Sequence, residues 1–243
     1  MKKYIIKIQV FAFLIFLTNA LIAQNNLYFG YKGIIFKYTM VNKIDEDATI
    51  MGSEHSLKSG KQLILGYNLS NHFAFETGIG TSKSESSFTF PAIYGTLEPY
   101  DGLVYKMNYI DIPAILKFHT AYKNEFVLYS GLGLLYKNIH KADISKKDFS
   151  SEGYETVDRY RRHNIGLDYE LGFEFPIAPE KLVLGFSYEY HYIFNDIEDK
   201  GQMDNDGSLV WDIPLYSIGT SHGPTKLKGY GFTFSLIYYF SEH

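Results

Sequence analysis

The chain has 243 residues, a formal net charge of -4, no cysteine, and an aromatic share of 17% carried by 22 tyrosines and 19 phenylalanines. The missing cysteines exclude a disulfide framework, a thiolate metal site and a lipoprotein anchor, and the mild negative charge argues against a nucleic-acid partner. Beyond the first residues no apolar run reaches the ~20 residues of a transmembrane helix, so a membrane protein of this composition has to cross as a barrel.

The chain opens with a basic start at Lys2, Lys3 and Lys7, an apolar run from Val10 to Leu17, then small or polar residues leading to Ala23. This is the layout of a secretory signal peptide, expected over residues 1–23, and the run is short for the competing reading of a retained anchor helix. Cleavage after Ala23 leaves Gln24 first; Ala20, preceded by Thr18, is a competing site. Residues 24–243 are read as one domain.

Alternation of bulky and small or polar residues predicts eight strands, at about Leu27 to Val41, Lys58 to Leu69, His72 to Lys83, Val104 to His119, Phe126 to His140, Arg162 to Pro176, Lys181 to Asn195 and Leu227 to Phe240. Connections after the second, fourth and sixth are short, and those after the first, third, fifth and seventh are long and polar. That rhythm predicts an all-β fold: an eight-stranded antiparallel up-and-down transmembrane β-barrel with tight periplasmic turns and long outer loops.

The faces support it. In the last strand Tyr230, Phe232, Phe234, Leu236, Tyr238 and Phe240 share one face, while Gly229, Gly231, Thr233 and Ser235 share the other, with no charge on either. In the sixth, Ile165, Leu167, Tyr169, Leu171, Phe173 and Phe175 are expected toward lipid, and Asn164, Gly166, Asp168, Glu170, Gly172 and Glu174 toward the interior. The first strand is ambiguous, because Lys32 and Lys37 fall on opposite faces; a bulge or an early strand end is the expectation there. Pro113 removes a ladder donor inside the fourth strand and is expected at a bulge or bend.

The fourth strand reads Tyr109-Ile110-Asp111-Ile112-Pro113-Ala114-Ile115-Leu116-Lys117-Phe118. It resembles the aromatic-aliphatic-acid-Ile-Pro-x-x-x-Lys-aromatic strand of the PorT-type outer-membrane β-barrel family of Bacteroidetes. Gly131-Leu132-Gly133 and the acid-rich, glycine-spaced sixth strand match the same pattern. The resemblance implies an eight-stranded outer-membrane barrel and, for most members, no defined activity. The chain departs from the usual terminal aromatic in that Ser241, Glu242 and His243 follow Phe240.

Inward-facing Glu76, Asp111, Lys117, Asp168, Glu170, Glu174, Glu189 and His191 are expected to form an interior polar network, with Lys32 as a further cation. Lys117 and Glu76 are expected at similar height, and Asp168 roughly opposite Glu189. Two paired carboxylates suggest glycosidase-like acid–base chemistry, but a barrel of about eight strands is filled by its own side chains. Asp204-Asn205-Asp206-Gly207 resembles part of a calcium loop, yet Gln202 and Ile213 stand where its end ligands belong. Arg159, Arg161 and Arg162 cluster where the third outer loop enters the sixth strand, at the depth of lipopolysaccharide phosphates.

The function read from the sequence is a non-catalytic, structural or surface-binding barrel of the bacterial outer membrane, with a component of an envelope secretion or assembly machine as one form of it. It uses no cofactor or metal and acts as a monomer. Its partners are outer-membrane lipid and lipopolysaccharide, the barrel-insertion machinery and envelope secretion proteins. The alternative is a lipid A-modifying hydrolase built on His55, His140, His163 or His222, although no spacing singles out a triad. A diffusion pore is disfavoured by size.

Overall fold

The computed structural model describes residues 26–42, 52–90, 100–120, 126–146, 154–155, 160–178, 181–197 and 225–240. The expected leader and the calcium-like loop at 202–213 lie outside them, as do Arg159 and His222. The described chain is built of ten strands: β1 (Leu27–Asn42), β2 (Gly52–His55), β3 (Leu57–Asn68), β4 (Phe73–Phe90), β5 (Tyr100–His119), β6 (Val127–Lys146), β7 (Tyr154–Glu155), β8 (His163–Ala178), β9 (Leu182–Ile193) and β10 (Thr225–Tyr239).

Every neighbouring pair is antiparallel, and the order β4-β3-β1-β10-β9-β8-β6-β5 closes on itself through β4–β5. This is a closed, eight-stranded up-and-down barrel. The two short strands are extensions: β2 continues β3 along β4 past a break at Ser56, and β7 pairs with the outer end of β6. The seam between first and last strands runs unbroken from Tyr28↔Tyr239 to Asn42↔Thr225, and the Phe240 N–H closes it on the Leu27 carbonyl at 3.1 Å. Closure removes every long sheet edge, which hydrocarbon requires because it offers no hydrogen-bond partner.

Side chains alternate across the wall as the period-2 pattern demands. Phe29, Leu63, Phe75, Leu116, Leu132, Leu171, Phe232 and Phe234 are exposed on the outside. From Tyr230 to Phe240 the outward row of β10 is uninterrupted by charge. Its ten residue steps cover about 33 Å along the strand, which at a ~40° tilt gives about 25 Å of apolar height, the thickness of an outer-membrane belt. Paired rings edge it near the short turns, with Phe73–Phe118 and Tyr238–Phe240 centroids both 5.4 Å apart.

Two local expectations are corrected. β1 is continuous, with no register shift against either neighbour; Lys32 is buried inside while Lys37 faces out beside Tyr230, in the upper part of the strand. The two lysines differ in height as well as in face, so neither a bulge nor an early end is needed. Pro113 stays in register, and the β4–β5 ladder merely skips Gly78 and Ile79 opposite it; Thr77 Oγ1 donates to the Pro113 carbonyl at 2.7 Å. The bulge lies instead at His140, the extra residue between the pairs Tyr109↔Ile139 and Asn108↔Lys141.

The middle strands also run further than their apolar alternation, with 18 residues in β4 and 20 each in β5 and β6. A membrane crossing uses about 10 residues, so roughly half of β5 and of β6 stands outside the hydrocarbon, where neither face has to be apolar.

Candidate functional site

The interior is layered. Its floor, near the short turns, is an apolar cluster of Tyr28, Ile64, Ala74 and Ile237, with Val183 and Tyr239 packed on it. Its roof, toward the long loops, is a larger cluster that includes Ile34, Phe36, Met107, Leu135, Ile139, Ile193 and Leu227. Between them lies a polar tier.

The tier is organised by two lysines. Lys32 Nζ lies 2.8 Å from Glu76, 2.9 Å from Glu170 and 3.4 Å from Glu189; Lys117 Nζ lies 2.7 Å from Glu76, 3.2 Å from Glu170 and 3.9 Å from Glu174. Cations and carboxylates thus alternate around a square whose corners are Lys32, Glu76, Lys117 and Glu170, and each corner exposes 1% or less of its side chain. Charges buried this deeply survive only when paired and hydrogen-bonded. The Tyr28 hydroxyl donates to Glu76 at 3.2 Å, Thr233 to Glu189 at 3.1 Å, and Lys117 stands over the Tyr129 ring at 4.5 Å.

A second group sits above it. Lys137 Nζ lies 2.5 Å from Asp111, donates to the Tyr38 hydroxyl at 3.0 Å and to Ser82 at 3.1 Å, and stands over the Tyr38 and Tyr109 rings at 4.5 and 4.4 Å. Ser82 in turn donates to Asp111. Asp168 stands directly across from His191, and Glu170 from Glu189. This corrects the expected Asp168–Glu189 apposition by two residues: the β8–β9 connection is tighter than a four-residue turn, and a bulge between Pro176 and Ala178 takes up the slack.

All eight residues expected in the interior network are therefore inside and share one continuous polar tier. Lys137 was missed, although it has the inward parity of Gly131 and Gly133 on the same strand. Tyr28, Tyr38 and Tyr109 were missed for a different reason: tyrosine is equally at home in an interface girdle, so residue type alone did not separate inside from outside. The two described arginines of the expected cluster are elsewhere. Arg161 and Arg162 are exposed at the outer rim, where the Arg161 N–H bonds the Ile197 carbonyl at 2.8 Å and Asn164 caps the Arg161 carbonyl at 2.7 Å.

Among the histidines, His163 Nδ1 lies 2.5 Å from the Tyr136 hydroxyl, and His55 Nδ1 lies 2.9 Å from Ser86 Oγ, a serine–histidine contact of the kind a hydrolase uses. Ser86 is 1% exposed, so the oxygen that would have to attack is shielded from substrate.

Residues 22–198 match the family model described as "Outer membrane protein beta-barrel domain". The chain belongs to that family. A closed barrel with an apolar belt, in a family of this kind, is located in the outer membrane. No curated protein matches the chain. Similar solved structures include OprG from Pseudomonas aeruginosa, with 11% identity, 88% of this chain and 96% of that chain covered, and a TM-score of 0.46. Neisserial surface protein A gives 12% identity, 88% and 96% coverage and a TM-score of 0.43. Ail, the attachment invasion locus protein of Yersinia pestis, gives 14% identity, 87% and 99% coverage and a TM-score of 0.37.

Proposed function

We propose that this barrel is a non-catalytic, non-conducting protein of the outer membrane that serves as a structural or surface-binding platform, and that it belongs to the PorT-type branch of its family. The observation that carries the reading is the filled lumen. A charged square closed by an apolar floor and an apolar roof leaves the long outer strands and loops to carry function. The branch assignment rests on the inward row Tyr109, Asp111, Pro113 and Lys117, in which Asp111 and Lys117 are held in the ion pairs of the tier. In this reading the leader is cleaved, the insertion machinery receives the chain, and the folded monomer contacts lipopolysaccharide through Arg159, Arg161 and Arg162.

The experiment is cross-linking in intact outer membranes, pull-down of the tagged barrel, and conductance of the same preparation in planar bilayers. Envelope secretion proteins recovered reproducibly with a silent bilayer support a machine component. Recovery with lipopolysaccharide alone supports an autonomous surface-binding barrel. Steady single-channel conductance overturns the non-conducting reading.

The His55–Ser86 contact favours one second reading, a lipid A-modifying hydrolase. Mass spectrometry of lipid A from cells carrying the wild-type protein or Ser86→Ala decides it, because only a hydrolase changes the acyl chains.

A further inference from the structure

We infer that Asp168, Glu189 and His191 form a buried binding site for one divalent transition-metal ion of zinc-like chemistry. Their donor atoms all lie within 4.8 Å of one another, and the three residues are buried. The backbone brings them together simply: Asp168 on β8 faces His191 across the ladder, and Glu189 lies one inward step along β9 from His191.

The distances suit an ion better than direct contact. His191 Nε2 stands 3.4 Å from Asp168 Oδ1 and 3.7 Å from Glu189 Oε2. A charge-assisted N–H···O bond closes to about 2.7–2.9 Å. Zinc with ligand bonds of about 2.0–2.1 Å in a tetrahedron instead spaces its donors by about 3.3–3.5 Å. Neither Asp168 Oδ1 nor His191 Nε2 makes a hydrogen bond, although both are shut away from solvent. Two such atoms facing each other at 3.4 Å are costly unless a proton on the imidazole or a metal ion lies between them, and the spacing is that of two ligands of one ion.

The surroundings fix the donors. His191 Nδ1 is held by the Tyr38 hydroxyl at 2.9 Å, and the imidazole stacks on Phe36 with centroids 4.4 Å apart, so Nε2 is aimed at the two carboxylates. This is the support a metal-bound histidine receives from behind. Glu189 Oε1 is engaged by Lys32 at 3.4 Å and Thr233 at 3.1 Å, leaving Oε2 for the ion. The charge balance agrees: among the described residues the six carboxylates Glu76, Asp111, Asp168, Glu170, Glu174 and Glu189 share the tier with three lysines, Lys32, Lys117 and Lys137, and with His191, and a dication reduces the excess of negative charge. The apolar roof above the site implies that the ion is taken up as the barrel folds.

The test is elemental analysis of the full-length protein extracted from outer membranes without chelator, and of protein refolded with zinc and then desalted, with folding checked by heat-modifiable gel mobility. One equivalent of bound zinc is expected in the wild type. His191→Gln and Asp168→Asn should each lose the metal while remaining folded. Should they fail to fold, Tyr38→Phe keeps every ligand and removes only the anchor behind His191, and should weaken zinc affinity by about 10- to 100-fold. Cobalt-refolded wild type should show the visible absorption of a tetrahedral site, absent in His191→Gln. A folded wild-type barrel without stoichiometric metal after refolding with zinc overturns the site. Metal retained by folded His191→Gln or by Tyr38→Phe at wild-type affinity overturns it equally.

Discussion

Lys117 on β5 reaches Glu76 on β4 at 2.7 Å, and both are sealed from solvent in the middle of the barrel. The contact is one side of the square that also contains Lys32 and Glu170, so each charge has two neighbours of opposite sign. Removing one member leaves carboxylates facing each other where water does not screen them.

Lys117→Met should therefore destabilise the folded barrel by about 3–5 kcal/mol, the usual cost of breaking a buried ion pair from one side. Urea unfolding of the refolded protein in lipid vesicles measures it. Adding Glu76→Gln to Lys117→Met should recover part of the loss; a double variant no more stable than the single one argues against coupling through this pair.

A second expectation concerns Gly66. A Cβ placed there would lie 1.9 Å from the Tyr28 ring, whose hydroxyl donates to Glu76 at 3.2 Å. Gly66→Ala must push that ring aside, costing about 1–3 kcal/mol through overpacking. Tyr28→Val, which removes the obstruction, should make the alanine nearly neutral in the same unfolding assay. If Gly66→Ala costs the same in both backgrounds, the clash is not its cause.

The lipid face should respond to charge according to depth. Phe234, in the middle of the outward row of β10, is 57% exposed, whereas Lys37 already occupies an outward position beside Tyr230. Phe234→Arg should cost about 2–4 kcal/mol in vesicles, and Tyr230→Arg about 0–1 kcal/mol. Equal costs at the two sites would sink the placement of the belt.

Lipopolysaccharide contact has more candidates at the rim than the arginines. Lys83 and Lys141 both pair with Asn108, in one row across β4, β5 and β6, and both are exposed. Each exposed cation–phosphate contact contributes on the order of 0.5 kcal/mol, so replacing Arg161, Arg162, Lys83 and Lys141 together by Gln should reduce lipopolysaccharide affinity by roughly 30-fold. Phosphate assay of the purified protein checks it, and unchanged co-purification removes these residues from the contact.

The sequence by itself determined the barrel, its eight staves and which side of the sixth, seventh and last strands meets lipid. Period-2 alternation is a local property, so Ile165 to Phe175 and Tyr230 to Phe240 announce their face without knowledge of any partner strand. It also placed Asp168, Glu170 and Glu189 inside, because each shares its parity with glycines or other small residues of its own strand, and Lys117 inside with Asp111, whose parity it shares. Where the strands stop was not legible: beyond the belt the outward face meets water, the apolar row that marks it ends, and β4 to β6 run on past that point.

Only the tertiary structure decided who meets whom. Register depends on turn length and bulges, and the placing of the β8–β9 turn at the pair Ala178↔Leu182, together with the bulge beside Pro176, sets His191, rather than Glu189, across from Asp168. Closure then brings β1 against β10 and sets Lys32 among carboxylates from β4, β8 and β9. Those contacts arise when a flat ladder is rolled into a cylinder narrow enough for side chains from facing walls to touch, and that geometry is not a property of any one strand.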